Sequence, residues 1–530
     1  MAASVQQLAE QAEARWTGKV RPILNDAPDA PCQLECEASE LPEVCNWLFS
    51  DLHYSFGGLI VEQICGWELR YVFYCGSSEG GWLHVVAYLP EGSERVPTIS
   101  RLVHAADWHE REVEDGFGLV FEGHPRLGDF MLHDDVWHEG VAPMRKSFDG
   151  SQPVTDRAPD SDWKPRRIVE EAGAFAMPVG PVHSAATAPV YFQLETVGED
   201  VIRAHPRLFY AYRGLEKIAE GCRAEDVLLI AERISGTTAF AHSLALCHAV
   251  ERLCRIEVPE RASALRIFLA ELERLRHHVA AIEGICESTG LAVASAQAAI
   301  LQEDLLRISG ALTGHRYLFG LNVLGGLAMD LDDAACSRAA SRACEVAGKL
   351  AGLQRMLTRS SSFLDRLEDV GGVSKSDASD FGLVGPVARA SGLVRDLRKL
   401  QPYSGYERIG FEVPYESEGD GYARLRVFFR EAEQSARIMA AVTQTIGPGR
   451  YRVPEIRVQP GAALGWVEAP NGAALHWIRL SGQGVVERYR IITPSFANWH
   501  GFRLAAESFA FQDFPIILAT FALSVQENDR

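Results

Sequence analysis

Glu232-Arg233-Ile234-Ser235-Gly236-Thr237-Thr238-Ala239-Phe240-Ala241-His242-Ser243 is a hydroxyl-rich stretch running into an apolar-periodic segment. Ser235 and Thr238 stand at an x-x spacing, and His242 follows. The spacing recurs at Ser524 and Glu527, in the segment Asp513-Phe514-Pro515 through Ser524-Val525-Gln526-Glu527-Asn528-Asp529-Arg530. A soft, redox-active metal calls for thiolates at such positions. Alcohols are poor ligands unless a strongly acidic metal deprotonates them, and a glutamate is a hard oxygen donor suited to other ions. Residues 235, 238, 524 and 527 are therefore not expected to hold a soft, redox-active metal.

Helical periodicity dominates the chain from this stretch onward. Leu265, Phe268, Leu269, Leu272, Leu275, Val279 and Ile282 recur at steps of three and four, which predicts one apolar helix face over Ala264–Ile282. Arg266, Glu273 and His277 are expected on the opposite side or at its borders. Comparable patterns predict helices over Thr238–Cys254, Ala292–Ala311 and Ala339–Leu367. Four such helices pack as a bundle, with strand-rich excursions near Val190–Glu195 and Arg450–Arg490. Upstream, Leu69–Tyr74 and Trp82–Leu89 are rich in aromatic and β-branched residues and flank the turn-prone Gly76–Gly81, which predicts a hairpin.

The expected fold class is α+β: a small N-terminal α+β domain, then a mainly α-helical bundle with β-rich excursions. The boundaries read as a tail over 1–30, the small domain over 31–146, a linker over 147–167 and the large domain over 168–530. The linker is dense in Asp, Ser and Pro, with Pro153, Pro159 and Pro165, and lacks periodicity.

A chain of 530 residues with 47% apolar content can bury full cores. Its 52 Lys and Arg against 71 Asp and Glu give a formal charge of −19, which argues against nucleic acid or anionic lipid as direct partners. The strongest apolar run, Phe514–Val525, is too short for a spanning helix of roughly 20 residues. The N-terminus carries no secretion signal. Eleven cysteines without a Cys-x-x-Cys pair read as reduced and intracellular, and Cys32 and Cys36 have no second pair to complete a metal or redox site. No glycine-rich dinucleotide fingerprint follows a strand.

Several motifs carry a family resemblance. Trp108-His109-Glu110-Arg111-Glu112-Val113-Glu114-Asp115-Gly116-Phe117-Gly118, then Gly123-His124-Pro125 and Pro143-Met144-Arg145-Lys146, resemble the signature of the 30 kDa subunit of respiratory complex I. The resemblance implies docking and folding roles, with Glu110, Arg111, Glu112 and Asp115 in buried ion pairs. Gly180-Pro181-Val182-His183-Ser184-Ala185-Ala186-Thr187 is similar to the 49 kDa hairpin G-P-Q-H-P-x-x-H, which implies a place for His183 and Thr187 at a quinone cavity. Thr187 stands where the family has a second His. Leu208-Phe209-Tyr210-Ala211-Tyr212-Arg213-Gly214-Leu215-Glu216-Lys217 resembles G-Y-L-H-R-G-x-E-K. The resemblance makes Tyr210 a quinone contact and proton donor, and Arg213 the cation facing a neighbouring subunit's 4Fe-4S cluster. Tyr212 replaces the motif's His.

The Glu232–Ser243 stretch and the C-terminal one resemble the metal-binding segments of group 4 membrane-bound nickel-iron hydrogenases, each of which supplies a Cys-x-x-Cys pair. All four thiols are absent here, and Asn471 in Glu468-Ala469-Pro470-Asn471-Gly472 replaces an Arg of the E-A-P-R-G motif. His242 keeps the spacing of C-x-x-C-x-x-x-H and, with the thiolates absent, is read as making a hydrogen bond near the subunit interface.

The resemblance implies an electron-transfer subunit of a complex I-like assembly, peripheral on the cytoplasmic face of the cell membrane. The chain is expected to bind no metal or other cofactor itself. It would cover a partner's 4Fe-4S cluster and help form a cavity for quinone, with Tyr210 and His183 catalytic and Arg213, His242 and Thr187 cofactor-binding. Implied partners are a cluster-bearing small subunit of the complex I 20 kDa type, a ferredoxin-like Fe-S subunit and antiporter-like proteins of a membrane arm. The alternative is a redox-silent structural or coupling subunit of a hydrogenase-related complex.

Overall fold

The computed structural model describes residues 5–24, 32–75, 81–138, 140–151, 167, 170, 173–182 and 188–530. His183, Thr187, the tip of the expected hairpin at 76–80 and most of the expected linker, 152–166, lie outside the described residues. The chain forms two compact units, one from 1–168 with 207–212 and 379–382, the other from 169–206, 213–378 and 383–530.

The smaller unit is built on a five-stranded sheet in the order Val20–Ile23, Cys32–Cys36, Trp82–Leu89, Trp67–Tyr74, Ser55–Gln63. Neighbours are antiparallel except Cys32–Cys36 with Trp82–Leu89, which run parallel. The expected hairpin pairing is present, with Leu69 opposite Ala87 and Tyr74 opposite Trp82. Every residue of Trp67–Tyr74 is buried, so both faces of this strand are covered and strict alternation is lost from its sequence. The Val5–Arg15 helix adds Leu8 and Ala12 to the core, and Trp16 just beyond it meets Trp47 edge-on at 5.4 Å. Cys32 and Cys36 are core residues whose thiols burial pushes up to about 11 and about 12, which keeps them protonated.

On the Asp107–Phe117 helix, Glu110 Oε2 lies 3.9 Å from His124 Nε2, and hydrogen bonds join Glu110, Arg111 and Asp115 to their surroundings as well. Glu110 is fully buried, and it accepts hydrogen bonds from Ile99 N at 2.9 Å, Tyr71 Oη at 3.3 Å and Thr98 Oγ1. Asp115 Oδ2 accepts from the backbone N–H groups of Phe130, Met131 and Leu132 at 3.3, 2.6 and 2.9 Å. Arg111 donates to Gly128 O at 3.1 Å and lies over the Phe130 ring. These side chains tie the helix to backbone that has no ladder of its own, since an unmet buried donor costs more than a hydrogen bond returns.

In the larger unit, the helices Ala239–Leu253, Glu260–Ser288, Ala292–Thr313 and Asp333–Leu357 fall where four were expected, the last ending at Leu357 and not at Leu367. The last begins earlier than its apolar pattern because Asp332 caps it, accepting from Ala335 N at 2.8 Å. A further long helix, Gly421–Thr443, packs along Glu260–Ser288 and Asp333–Leu357. Its periodicity is broken in sequence by Arg424 and Glu431, both of which are buried. Arg266 and Glu273 were expected at the polar side of the central helix, but both are buried. Arg266 is paired with Glu251 at 2.7 Å, and Glu273 accepts from Phe240 N and Ala241 N at 2.9 Å each. The Glu260–Ser288 helix is thus enclosed on nearly all sides. A helix in that position buries polar groups only with partners.

A three-stranded antiparallel sheet, Gly461–Ala469, Gly472–Leu480 and Val486–Ile492, packs against the Ala239–Leu253 helix. Gly465 makes that approach possible, because a Cβ there would run into Ala245 O and the Ala249 backbone. Gly465→Ala is therefore expected to destabilise the protein by about 1–3 kcal/mol in thermal or denaturant unfolding. Gly482→Ala, where a Cβ meets nothing within 4 Å, should leave the midpoint unchanged.

Candidate functional site

The turn Ser235–Thr238 leads directly into the Ala239–Leu253 helix, whose first N–H groups are met by Glu273. The helix Phe514–Phe521 ends at Ala522, which takes a left-handed backbone and turns the chain towards Ser524–Glu527. The fold brings the two segments together: Ser524 Oγ donates to Ser235 Oγ at 3.4 Å, and Thr238 Oγ1 donates to Glu527 Oε1 at 3.0 Å. Asn471 Nδ2 donates to Glu527 Oε2 at 2.9 Å and to Ser495 Oγ at 3.1 Å. Ser495 N donates to the same Oε2 at 3.2 Å, and Thr493 Oγ1 donates to Glu527 O at 3.1 Å.

Glu527 is completely buried. Burial alone would raise its carboxyl, but bonding and charge from His242 with hydrogen bonds from Ser495 and Asn471 outweigh it and hold the group at about 2. The donor set does not fit a nickel-iron group: the four positions offer three hydroxyls and a carboxylate whose two oxygens are already engaged.

A chain of aromatic side chains leads away from this carboxylate. His242 Nε2 lies 3.5 Å from Glu527 Oε1, His242 Nδ1 lies 3.1 Å from His476 Nε2, and His476 Nδ1 lies 2.6 Å from Tyr489 Oη. Burial lowers the His476 imidazole well below its ordinary range and raises the Tyr489 phenol well above its own. A protonated phenol donates to His476 Nδ1, so His476 carries its proton on Nε2 and donates to His242 Nδ1. Arg213 clamps the same region from the backbone side, donating to Ile234 O at 2.9 Å, Gln526 O at 2.6 Å, Asp529 O at 2.8 Å and Arg233 O.

Tyr210 belongs to the smaller unit and is half-buried. It follows Phe209, whose φ of 66° is left-handed, at the place where the motif G-Y-L-H-R-G has its glycine. Ring contact with Phe130, 5.1 Å between centroids, holds Phe209 in that conformation. The His133 ring meets Tyr210 edge-on at 4.7 Å, and His133 Nε2 donates to Leu208 O at 2.7 Å. Arg207 pairs with Asp129 and Asp135. Burial raises the phenol of Tyr210, and the Arg207 cation opposes the shift. Tyr212 turns its hydroxyl to the sulfur of Met144 at 3.8 Å.

Of the residues expected from sequence, His242 and Arg213 converge on the Ser235–Glu527 region, while Tyr210 sits among residues of the smaller unit. His183 and Thr187 lie outside the described residues. His133, Arg207, Glu273 and His476 were not anticipated. Arg207 stands three residues before Tyr210, the one local signal available; the others reach their partners only through tertiary folding.

Because the folded carboxyl of Glu527 lies below its ordinary value, its contribution to stability is present above about pH 4.5 and is lost as the pH falls towards about 2. Glu527→Gln is expected to cost about 3 kcal/mol at neutral pH. The gap from the parent in melting experiments should narrow as the pH falls from about 5 to about 3.

Comparison with known proteins agrees with this architecture. The family model of the respiratory-chain NADH dehydrogenase 30 Kd subunit matches residues 34–154, and that of the 49 Kd subunit matches 290–458 and 450–530. The nickel-dependent hydrogenase model matches 213–282. Formate hydrogenlyase subunit 5 of Escherichia coli (strain K12) is 32% identical over 496 residues, covering 91% of this chain and 85% of the relative. Hydrogenase-4 component G of the same organism is 29% identical, covering 85% and 79%. The C/D subunit of NADH-quinone oxidoreductase from Bdellovibrio bacteriovorus is 29% identical, covering 86% of each chain. Among the described residues no helix is long and apolar enough to cross a membrane. The chain belongs to the family that joins the fused 30 Kd and 49 Kd type subunits of NADH-quinone oxidoreductase to formate hydrogenlyase subunit 5 and its hydrogenase relatives, and it is an oxidoreductase-complex subunit.

Proposed function

We propose that this protein works without nickel-iron chemistry, covers the terminal 4Fe-4S cluster of a neighbouring small subunit, and lines a quinone-type acceptor cavity in which Tyr210 acts. The observation that carries this reading is the contrast between two groups of side chains. Around Glu527 every strong donor and acceptor is turned inward, whereas Tyr210 keeps a half-buried phenol bordered by His133 and Arg207. A phenol so placed can hydrogen-bond an acceptor carbonyl and deliver a proton to it. Arg213 retains its charge beside the Ile234 carbonyl, where a fixed cation favours a reduced cluster nearby. His183 and Thr187 are assigned to the same cavity by motif alone.

The assembly is read as complex I-like, with a ferredoxin-like Fe-S subunit and antiporter-like membrane proteins as further partners, on the cytoplasmic face of the membrane. The relatives' descriptions as subunits and components of larger oxidoreductases support a multisubunit setting. A second reading, a redox-silent coupling subunit, is favoured by the closed hydrogen bonding at Glu527 and by Tyr212, whose hydroxyl contacts a thioether where the motif has a titratable His.

Turnover separates the two. The intact complex, purified through a tag on this chain, is supplied with a chemically reduced Fe-S chain and assayed for quinone reduction, with a quinone-site inhibitor as control. Inhibitor-sensitive turnover is expected, and Tyr210→Phe should slow it by about 10²-fold with assembly unchanged. Reducible clusters without any quinone reduction would favour the redox-silent reading.

A further inference from the structure

Asp129, Asp134 and Asp135 bring three carboxylates close enough to share a cation. That place is taken by a side chain of the protein. The Arg207 guanidinium donates to Asp129 Oδ1 at 2.8 Å and to Asp135 Oδ1 at 2.7 Å, with Asp134 Oδ1 at 3.9 Å. Both bonds come from the one nitrogen Nη2, which holds that end of the guanidinium between the two carboxylates. Its carbon lies 5.8 Å from the centroid of the Tyr210 ring, close enough for its charge to act on the phenol. His133, edge-on to the same ring, is held neutral by burial, so it adds no competing charge. The charged groups acting on the phenol are therefore Arg207, which favours the phenolate, and Asp129 and Asp135, which oppose it.

We infer that Arg207, aimed by Asp129 and Asp135, is the positioning residue that sets the acidity of the Tyr210 phenol. The inference rests on the reading of Tyr210 as the acceptor contact. In that step a quinone takes two electrons in succession from the neighbouring subunit's iron-sulfur cluster. As charge builds on its carbonyl oxygen the Tyr210 O–H bond breaks and an O–H bond forms on the acceptor. The phenolate is compensated by Arg207 until water returns its proton, and water supplies the second proton of the quinol. A fixed cation next to the phenol lowers the energy of that phenolate without occupying the acceptor's place.

The test is a titration of the full-length chain by tyrosinate absorbance, with the Tyr210 contribution isolated by subtracting a matched protein carrying Tyr210→Phe. Arg207→Gln is expected to raise the Tyr210 midpoint by about one pH unit or more, and Arg207→Lys to raise it less. Asp135→Asn should move it down, because more of the guanidinium's field then reaches the phenol. Opposite shifts in Arg207→Gln and Asp135→Asn support the inference; an unmoved midpoint in both, or shifts of the same sign, overturns it. Should Arg207→Gln fail to fold, Arg207→Lys decides alone: a raised Tyr210 midpoint supports the inference, and an unmoved or lowered one overturns it. The pH profile of quinone reduction by the complex should follow the same order. If Tyr210→Phe leaves that turnover unchanged, the acceptor reading falls, while the titration still decides the role of Arg207.

Discussion

One ionised carboxylate in a dry core constrains the centre of the larger unit. A buried charge is tolerated only when hydrogen bonds replace the water it has lost. Glu527 draws those bonds from three separate segments: Thr238 in the turn before a helix, Asn471 between two strands, and Ser495 at the start of the Pro494–Ala505 helix, with His242 Nε2 3.5 Å away. Each donor has to be in place for the others to be worthwhile, so these segments order together. In the hydrogenase relatives the motif at these positions would offer thiolates to a metal. Here hydrogen bonding to an organic anion performs the cross-linking, and the surrounding substitutions are consistent with it. Asn471 supplies an amide donor to Glu527 where the motif's Arg would bring a second charge, and Thr238 supplies a hydroxyl where a Cys would supply a soft donor.

The same principle operates on a larger scale along the central helix. Glu271, Asp396, Glu431 and Glu468 face Arg274, Arg389 and Arg398 in one connected buried network. His278 Nε2 reaches Glu431 at 3.0 Å, and Tyr406 and Ser435 each donate to Glu271 at 2.6 Å. Networks of this type add little net stability over well-packed apolar residues, but losing one member leaves a charge without a partner. Their effect is to fix one register between the Glu260–Ser288 and Gly421–Thr443 helices, since sliding either by a turn would separate Arg274 and His278 from Glu431 and Ser435 from Glu271.

The signals that reveal such a protein in sequence are uneven for a physical reason. The hairpin, the four bundle helices and the C-terminal excursion are written in apolar periodicity, and they were legible. The Gly421–Thr443 helix was not, because its buried face includes Arg424 and Glu431, and a pattern search counts them as exposed. Arg266 and Glu273 misled for the same reason. Charged side chains inside a core become intelligible only when their partners, distant in sequence, are known. Motif spacing pointed to Tyr210 in the one group of side chains and to Arg213 and His242 in the other, whereas His476 and His133 have no local signature; each meets a partner 234 or 75 residues away.

The two groups of side chains differ in what they leave available for chemistry. At Glu527 the carboxylate oxygens are engaged by Thr238, Asn471 and Ser495, and the adjoining His242–His476–Tyr489 chain closes on itself inside the core. Rearranging it for each turnover would mean breaking several buried hydrogen bonds together, each costing on the order of 1–3 kcal/mol. Tyr210 presents the opposite case. Its ring is fixed by His133 and its charge environment by Arg207, yet the residue is only half-buried. Phe209 reinforces that arrangement by holding a left-handed backbone through aromatic packing instead of relying on glycine, which reduces the freedom of the residue before the phenol. A rigid donor with an accessible face is what proton delivery to a small acceptor requires. The closed hydrogen bonding at Glu527 and the half-buried phenol at Tyr210 are therefore two different demands, one on stability and one on accessibility, met by one chain.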